Sequence, residues 1–258
     1  MEIMEKVLEI SNLVKQYKNG RGVRNISFSV GEGEVIGLLG PNGSGKTTIM
    51  KVIAGLCRYQ SGEVRVFGAD PAESVEKALT NVGCLIEQPA LYENMTAKRQ
   101  LKMMTRYYPQ LADNAVEMVL KDLGLDRYAN EKVRRYSLGM KQRLGIAMAL
   151  LSDPAFVVLD EPFNGLDIEA TVELREKIVI MAREQHKTFL VSSHQADDIE
   201  RMCNRVIIIY EGDLIDDVSV EDALRFSPTL EDYFLMKIRA EKNVGAAMKG
   251  GAECFLRV

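Results

Sequence analysis

Residues Gly40-Pro41-Asn42-Gly43-Ser44-Gly45-Lys46-Thr47 constrain this chain more than any other stretch. They fit the phosphate-binding pattern G-x-x-x-x-G-K-[ST]. Glycines at Gly40, Gly43 and Gly45 open backbone conformations closed to other residues. Successive N–H groups can then point inward and form an anion-binding nest. Lys46 can reach the β- and γ-phosphates of a nucleotide, and Thr47 can offer its hydroxyl to Mg²⁺. The flanks set the architecture. Residues 34–39 read as a buried strand, and 46–54 as a helix whose N-terminus faces the phosphates. A chance glycine-rich turn is the alternative, and the strand before and helix after argue against it.

The rest of the chain supplies layers for that unit. Residues 7–17 alternate, turn at Lys18-Asn19-Gly20, and alternate again over 23–30, with Ile26, Phe28 and Val30 on one face. This pattern predicts an antiparallel β layer leading into the buried strand. Short strands are expected at 64–67 and 82–86. From 96 to 151 the pattern is helical. Helices are expected over 96–108 with Thr96 as N-cap, over 113–123, and over 141–151. β/α alternation then resumes, with strands at 156–159, 188–191 and 205–210 and helices at 168–185 and 195–202. The predicted fold is α/β: a parallel-sheet nucleotide core with an antiparallel β layer and a helical insertion at about residues 89–153.

Composition narrows the setting. The chain has 258 residues, 47% of them apolar and 27% charged, as in ordinary globular proteins. No stretch approaches the ~20 apolar residues a membrane helix requires. The N-terminus is too charged for a secretory leader. The expectation is a cytoplasmic chain whose membrane role needs a partner. A net charge of −4 gives no reason to expect nucleic-acid binding. The four cysteines have no metal-ligand spacing and read as buried free thiols.

Three further motifs carry chemistry. Residues 156–159 form an apolar run ending in Asp160-Glu161-Pro162. Asp160 fits the acid that holds Mg²⁺ in phosphate-loop NTPases. Glu161 fits a general base for the attacking water. A solvated turn is the alternative reading of an isolated acid pair. Ser137-Leu138-Gly139-Met140 opens the third helix, and Ser137 with the backbone around Gly139 makes a second anion-binding helix end. A simple Ser N-cap is the plainer reading. His194, one of two histidines, follows a strand, where a surface or capping role is usual.

In order and spacing, these motifs resemble those of the ATP-binding-cassette (ABC) ATPases, the nucleotide-binding subunits of ABC transporters. The resemblance runs from about residue 7 to 235. It implies that Tyr17 stacks on adenine and that 40–48, Thr48 included, form Walker A. Glu87-Gln88-Pro89 lies at the Q-loop, residues 137–142 at the signature, and 157–161 at Walker B. Asn164-Gly165-Leu166-Asp167 resembles the D-loop. Ser192-Ser193-His194 resembles the switch loop, which implies that His194 contacts the γ-phosphate. The implied cofactors are ATP and Mg²⁺, with Glu87 or Gln88 joining Thr47 and Asp160 around the metal. The implied assembly is a head-to-tail homodimer in which one copy's Ser137 and Gly139 complete the other's Walker A site.

The signature departs from the usual pattern at Leu138 and Met140, and S-L-G-M-K-Q-R resembles the branch of bacitracin-resistance and lantibiotic-immunity exporters. In a closed dimer the Leu138 side chain is expected to point away from the phosphate. The spacing to Pro89-Ala90-Leu91-Tyr92 puts Glu87, not Gln88, at the usual glutamine position. Residues 1–235 then form the ATPase domain and 236–258 an extension of unassigned role, with a short helix at 230–235 and a strand at Cys254-Phe255-Leu256 as one option. The expected function is the ATPase subunit of an exporter driving a separate permease from the inner face of the membrane. A soluble ABC ATPase is the alternative; it would usually carry a second cassette, a long coiled coil or zinc ligands. The transported substrate is not legible.

Overall fold

The computed structural model describes residues 6–253. An antiparallel layer comes first. β1 (Lys6–Gln16) pairs with β2 (Gly22–Gly31) on one side and with β4 (Ser61–Val66) on the other. The second sheet has six strands. Its spatial order is β5 (Val82–Leu85), β6 (Phe156–Leu159), β7 (Thr188–Ser193), β3 (Val35–Leu39), β8 (Arg205–Tyr210) and β9 (Asp213–Ser219). All neighbours are parallel except β9, which runs antiparallel to β8.

Period-2 alternation explains how this sheet is buried on both faces. Phe156 and Val158 point into one core with Ile36, Leu38, Leu190 and Ile207. That core also takes Ile10, Ile26 and Phe28 from the antiparallel layer, and Ile49, Met50 and Ile53 from α1 (Lys46–Ile53). Val157 and Leu159 point the other way, into a core shared with Leu39, Val191, Val206 and the helices. A strand with an apolar residue at every position is therefore required, and β3 and β6 are buried throughout.

The helical stretch contains α3 (Ala97–Met104), α4 (Ala115–Asp122) and α5 (Leu138–Leu150). Thr96 caps α3 by accepting from the Arg99 N–H. Helix α3 stops before the expected Tyr108, giving way to a single 3₁₀ turn at Thr105–Tyr107; the Thr105 hydroxyl bonds back to the Lys102 carbonyl at 3.0 Å. The remaining helices are α2 (Val75–Leu79), α6 (Ile168–Gln185), α7 (Ala196–Met202), α8 (Val220–Phe226) and α9 (Leu230–Glu253).

Three of these elements were not expected: α2, β9 and α8. Helix α2 is only 5 residues long, too short to show a period. Strand β9 carries acids at the sheet edge whose side-chain partners lie elsewhere in the chain. Arg205 binds Asp217 at 2.5 Å, and Tyr233 and Lys237 bind Asp216 at 2.7 and 2.9 Å. The expected short helix at 230–235 is the start of the much longer α9, anchored by buried Leu230, Tyr233 and Ile238. The strand option at 254–256 lies outside the described residues, as does Cys254. Cys57 and Cys84 are only partly buried, whereas Cys203 is fully so, and all three are free thiols.

Candidate nucleotide site

A parallel sheet brings the C-terminal ends of its strands to one edge. Here Leu39 of β3 is level with Ser193 of β7, and Leu159 of β6 with Val191 of β7. The phosphate-binding loop, Asp160-Glu161 and His194 thus leave adjacent strands side by side.

In the loop, Gly43 and Gly45 take positive φ, 83° and 116°, as the motif requires. Gly40 is needed for a different reason. A Cβ there would lie 2.1 Å from the Ile209 carbonyl oxygen, so close packing, not a left-handed backbone, demands the glycine. Lys46 is buried, its Nζ donating to the carbonyls of Gly40 at 2.6 Å and Pro41 at 3.3 Å. The cation is thereby folded back over its own loop, stripped of most water and available to an anion. Ser44 Oγ is buried without a hydrogen-bond partner.

Thr47 Oγ1 donates to Asp160 Oδ2 at 2.8 Å, and Ser192 Oγ donates to Asp160 Oδ1 at 2.6 Å. The same Ser192 oxygen accepts the Glu161 N–H at 2.9 Å. That bond supports an unusual backbone, since Glu161 sits at φ 49° without being glycine. The Glu161 carboxylate has its Oε2 at 2.7 Å from His194 Nδ1. Its Oε1 lies 3.3 Å from Lys46 Nζ, a charge contact without hydrogen-bond geometry. Asp198 lies in the same electrostatic field. Burial raises its carboxyl above the usual range, Arg175 opposes this, and Asp197 and Glu161 reinforce it.

Of these groups Lys46, Thr47 and Glu161 border a cleft of about 340 Å³, and Asp160 and His194 are not among its lining residues. Tyr17, Asn42, Thr47, Thr48, Glu87 and Glu161 are among its walls. Tyr17 is 40% exposed, and Lys15 Nζ lies 5.0 Å from its ring centroid. Glu87 is engaged by Lys51 of α1 at 2.7 Å, and this bond raises the Lys51 pKa against the effect of burial. Gln88 is exposed and is not among the residues lining the cleft. Ser137 and Gly139 are not among them either. Ser137 is exposed, and its hydroxyl accepts from the Met140 N–H at 3.2 Å as the cap of α5. The Leu138 side chain lies against Gly165. His186 closes α6 in the left-handed conformation, at φ 53°. A larger hollow of about 820 Å³, between α4 and α6, contains none of the candidate residues.

Sequence reasoning assigned no role to Ser192, which links the two acids, or to Lys51. A hydroxyl residue closing the buried strand β7 was the available signal for Ser192. Lys51 offered none, because its partner lies across the fold.

A sequence profile of the family described as ABC transporter matches residues 23–164, more than half of the chain. The chain belongs to the ABC transporter family. The bacitracin transport ATP-binding protein BcrA of Enterococcus faecalis is 37% identical over 86% of this chain and 72% of its own length. The lantibiotic transport ATP-binding protein SrtF of Streptococcus pyogenes is 36% identical over 92% of this chain and 99% of its own. Among solved structures, an ATP-binding subunit of an ABC transporter superposes with TM-score 0.81 at 28% identity, covering 90% of this chain and 99% of that one. The cassette MJ0796, captured as a post-hydrolysis dimer with ADP and Pi, superposes with TM-score 0.74 at 25% identity over 83% and 98%. This ABC protein is thus an ATP-binding subunit and an ATPase, with the family's antiparallel layer, parallel core and helical stretch.

The donor set fits the nucleotide and its metal. The buried Lys46 cation and orphaned Ser44 hydroxyl suit phosphate oxygens. Among the described residues no three Asp, Glu, His or Cys side chains gather as a metal cage. The pair Thr47 and Asp160 is instead what Mg²⁺ uses when water and phosphate complete its shell.

Proposed function

We propose that this chain is the ATP-hydrolysing subunit of an exporter. Two copies close head to tail on ATP and reopen after hydrolysis, driving a separate membrane permease. The dimer is supported by the exposed Ser137 cap at the start of α5, which is not among the residues lining the cleft of Lys46, Thr47 and Glu161, and by the dimeric cassette MJ0796. An exposed helix N-terminus outside its own cleft is free to meet another copy's nucleotide. A role in transport is supported by the bacitracin and lantibiotic transport relatives, and the export direction by the signature's resemblance to resistance and immunity exporters.

Each group has a role on this reading. Tyr17 carries the adenine on its ring face. The N–H groups of residues 40–48 cradle the phosphates, and Lys46 swings from its carbonyls to the β/γ oxygens. Thr47 and Asp160 would hold Mg²⁺, with Glu87 or Gln88 placed near its water shell. Bound there, the ion neutralises the phosphate charge that develops during transfer. Glu161 accepts the proton of the attacking water, and His194 orients that carboxylate and meets the γ-phosphate. Residues 1–235 form the ATPase domain, with the helical insertion at 89–153, and 236–258 an extension. No described helix is long and apolar enough to cross a membrane, so a permease would hold the subunit at the inner face. The loop at Tyr92-Glu93-Asn94-Met95-Thr96, with Tyr92 62% exposed, is the proposed contact.

The test mixes two dead variants. Ser137→Arg and Lys46→Ala are each expected to lack turnover, Ser137→Arg with monomer ATP binding intact. Their heterodimer has one doubly damaged site and one untouched, so hydrolysis is expected to return. Loss of ATP binding by monomeric Ser137→Arg would place the signature in cis and refute the composite site.

A further inference from the structure

Leu138 stands where an unbranched, minimal residue would be expected at a phosphate-facing helix end. Its side chain is 61% exposed, a leucine in the first turn of α5. It does not hang free. It covers Gly165, in the loop after Glu161. A Cβ built on Gly165 would lie 2.5 Å from Leu138 Cδ2 and 2.6 Å from its Cγ. Leu138 thus occupies the space a side chain at 165 would need. Gly165 also sits at φ 81°.

The contact is reciprocal. A Cβ on Gly139 would lie 3.0 Å from the Gly165 carbonyl oxygen and 3.3 Å from Leu166 Cδ2. Each glycine is therefore the seat of the other segment. Two further ties join them. The buried Gln142 of α5 donates through Nε2 to the Glu161 carbonyl at 3.4 Å. The Asn164 N–H donates to that same carbonyl at 3.2 Å, closing the turn that carries Gly165.

We propose that Leu138 is a positioning residue: seated on bare Gly165, it locks the N-terminus of α5 to the loop that follows Glu161. The two segments then move as one body. Where the Glu161 backbone goes, Ser137 follows. This rests on the composite-site reading above, in which Ser137 serves a second copy of the chain. The bulky residue in the signature is thus a lever against its own loop and lies off the path of the phosphate.

A double-mutant cycle on the full chain tests this. Gly165→Ala introduces the clash. In Leu138→Ala/Gly165→Ala the clash is gone, because the built Cβ lies at an ordinary 3.5 Å from Leu138 Cβ. Strain from φ at 165 is present in both and cancels. Gly165→Ala is expected to lower kcat by roughly three- to tenfold, because Leu138 must leave its seat to admit the methyl and the tie to Ser137 is lost. Binding of a fluorescent ATP analogue to the monomer is expected to change less than about twofold, since the cleft is untouched. Leu138→Ala alone is expected to lower kcat, because the seat that ties Ser137 to the loop is lost, and adding Gly165→Ala to it is expected to cost much less turnover than Gly165→Ala costs in the wild type. Thermal melting of all variants checks that each folds. Equal losses from Gly165→Ala in both backgrounds, or a loss confined to nucleotide affinity, would overturn the proposal alone. A wild-type chain whose turnover does not rise with dimerisation would overturn the composite-site reading and the proposal with it.

Discussion

Replacing Ser192 with Ala should damage this protein more than its small volume suggests. The hydroxyl makes two bonds in a fully buried position, donating to Asp160 Oδ1 at 2.6 Å and accepting from the Glu161 N–H at 2.9 Å. Removal takes a charge-assisted bond from a buried carboxylate, worth about 1.5–3 kcal/mol. It also orphans an N–H on a residue held at positive φ, worth about 1–3 kcal/mol. The two losses share one site and are not fully additive, so the expected total is about 3–4 kcal/mol. Neighbouring Ser193 is the control. It is equally buried, but its hydroxyl has a single partner, accepting from the Gln195 N–H at 3.0 Å. Ser193→Ala should cost about 1 kcal/mol. Denaturant titration followed by circular dichroism gives both values. Turnover should fall in Ser192→Ala beyond any loss of folded protein, because Glu161 loses its backbone support. A Ser192→Ala cost equal to that of Ser193→Ala, with normal turnover, would refute the argument that Ser192 organises the two acids.

Glu161→Gln should keep ATP binding and slow hydrolysis by roughly 10²–10⁴, the usual worth of a general base. An ATP-dependent dimer that persists on size-exclusion chromatography is the companion readout. Glu87→Gln should be tolerated or mildly activating, since it releases Lys51 and removes a carboxylate from the phosphates. Glu87→Ala should weaken Mg²⁺-dependent turnover more than Gln88→Ala; the reverse order in Mg²⁺ titrations assigns the role to Gln88. Burial pushes the Cys84 thiol from 9.0 up to about 12 and raises Cys203 as well. Both should resist maleimide at neutral pH until the chain unfolds, as peptide mass mapping would report. The same shift sets an alkaline limit. The unfolded thiol ionises near pH 9 while the folded one stays neutral, so stability is intact below pH 9 and falls as the pH rises towards 12. A denaturation midpoint that does not change across that window would contradict it.

Much of this protein is written in local sequence. The phosphate loop, its strand and its helix are specified within 40–54, because glycine positions, an apolar run and a helix start are short-range signals. Fully apolar β6 announced a strand buried on both faces, and Asp160-Glu161 at its end announced the edge where chemistry gathers. The signature, with its Ser137 cap, was equally local. Tertiary structure decided what these residues face. Gly40 is glycine because Ile209, far along the chain, presses its carbonyl there. Glu87 meets Lys51 of α1, and Asp216 meets α9, through contacts that no short spacing encodes. The acids of β9 disguised a strand because their partners are distant. Leu138 looked like a departure to be tolerated, and its purpose lies in a bare Cα 27 residues away, at Gly165. Periodicity reports which side of an element is buried, since burial follows from its own repeat. It does not report the partner, because that depends on where every other element packs.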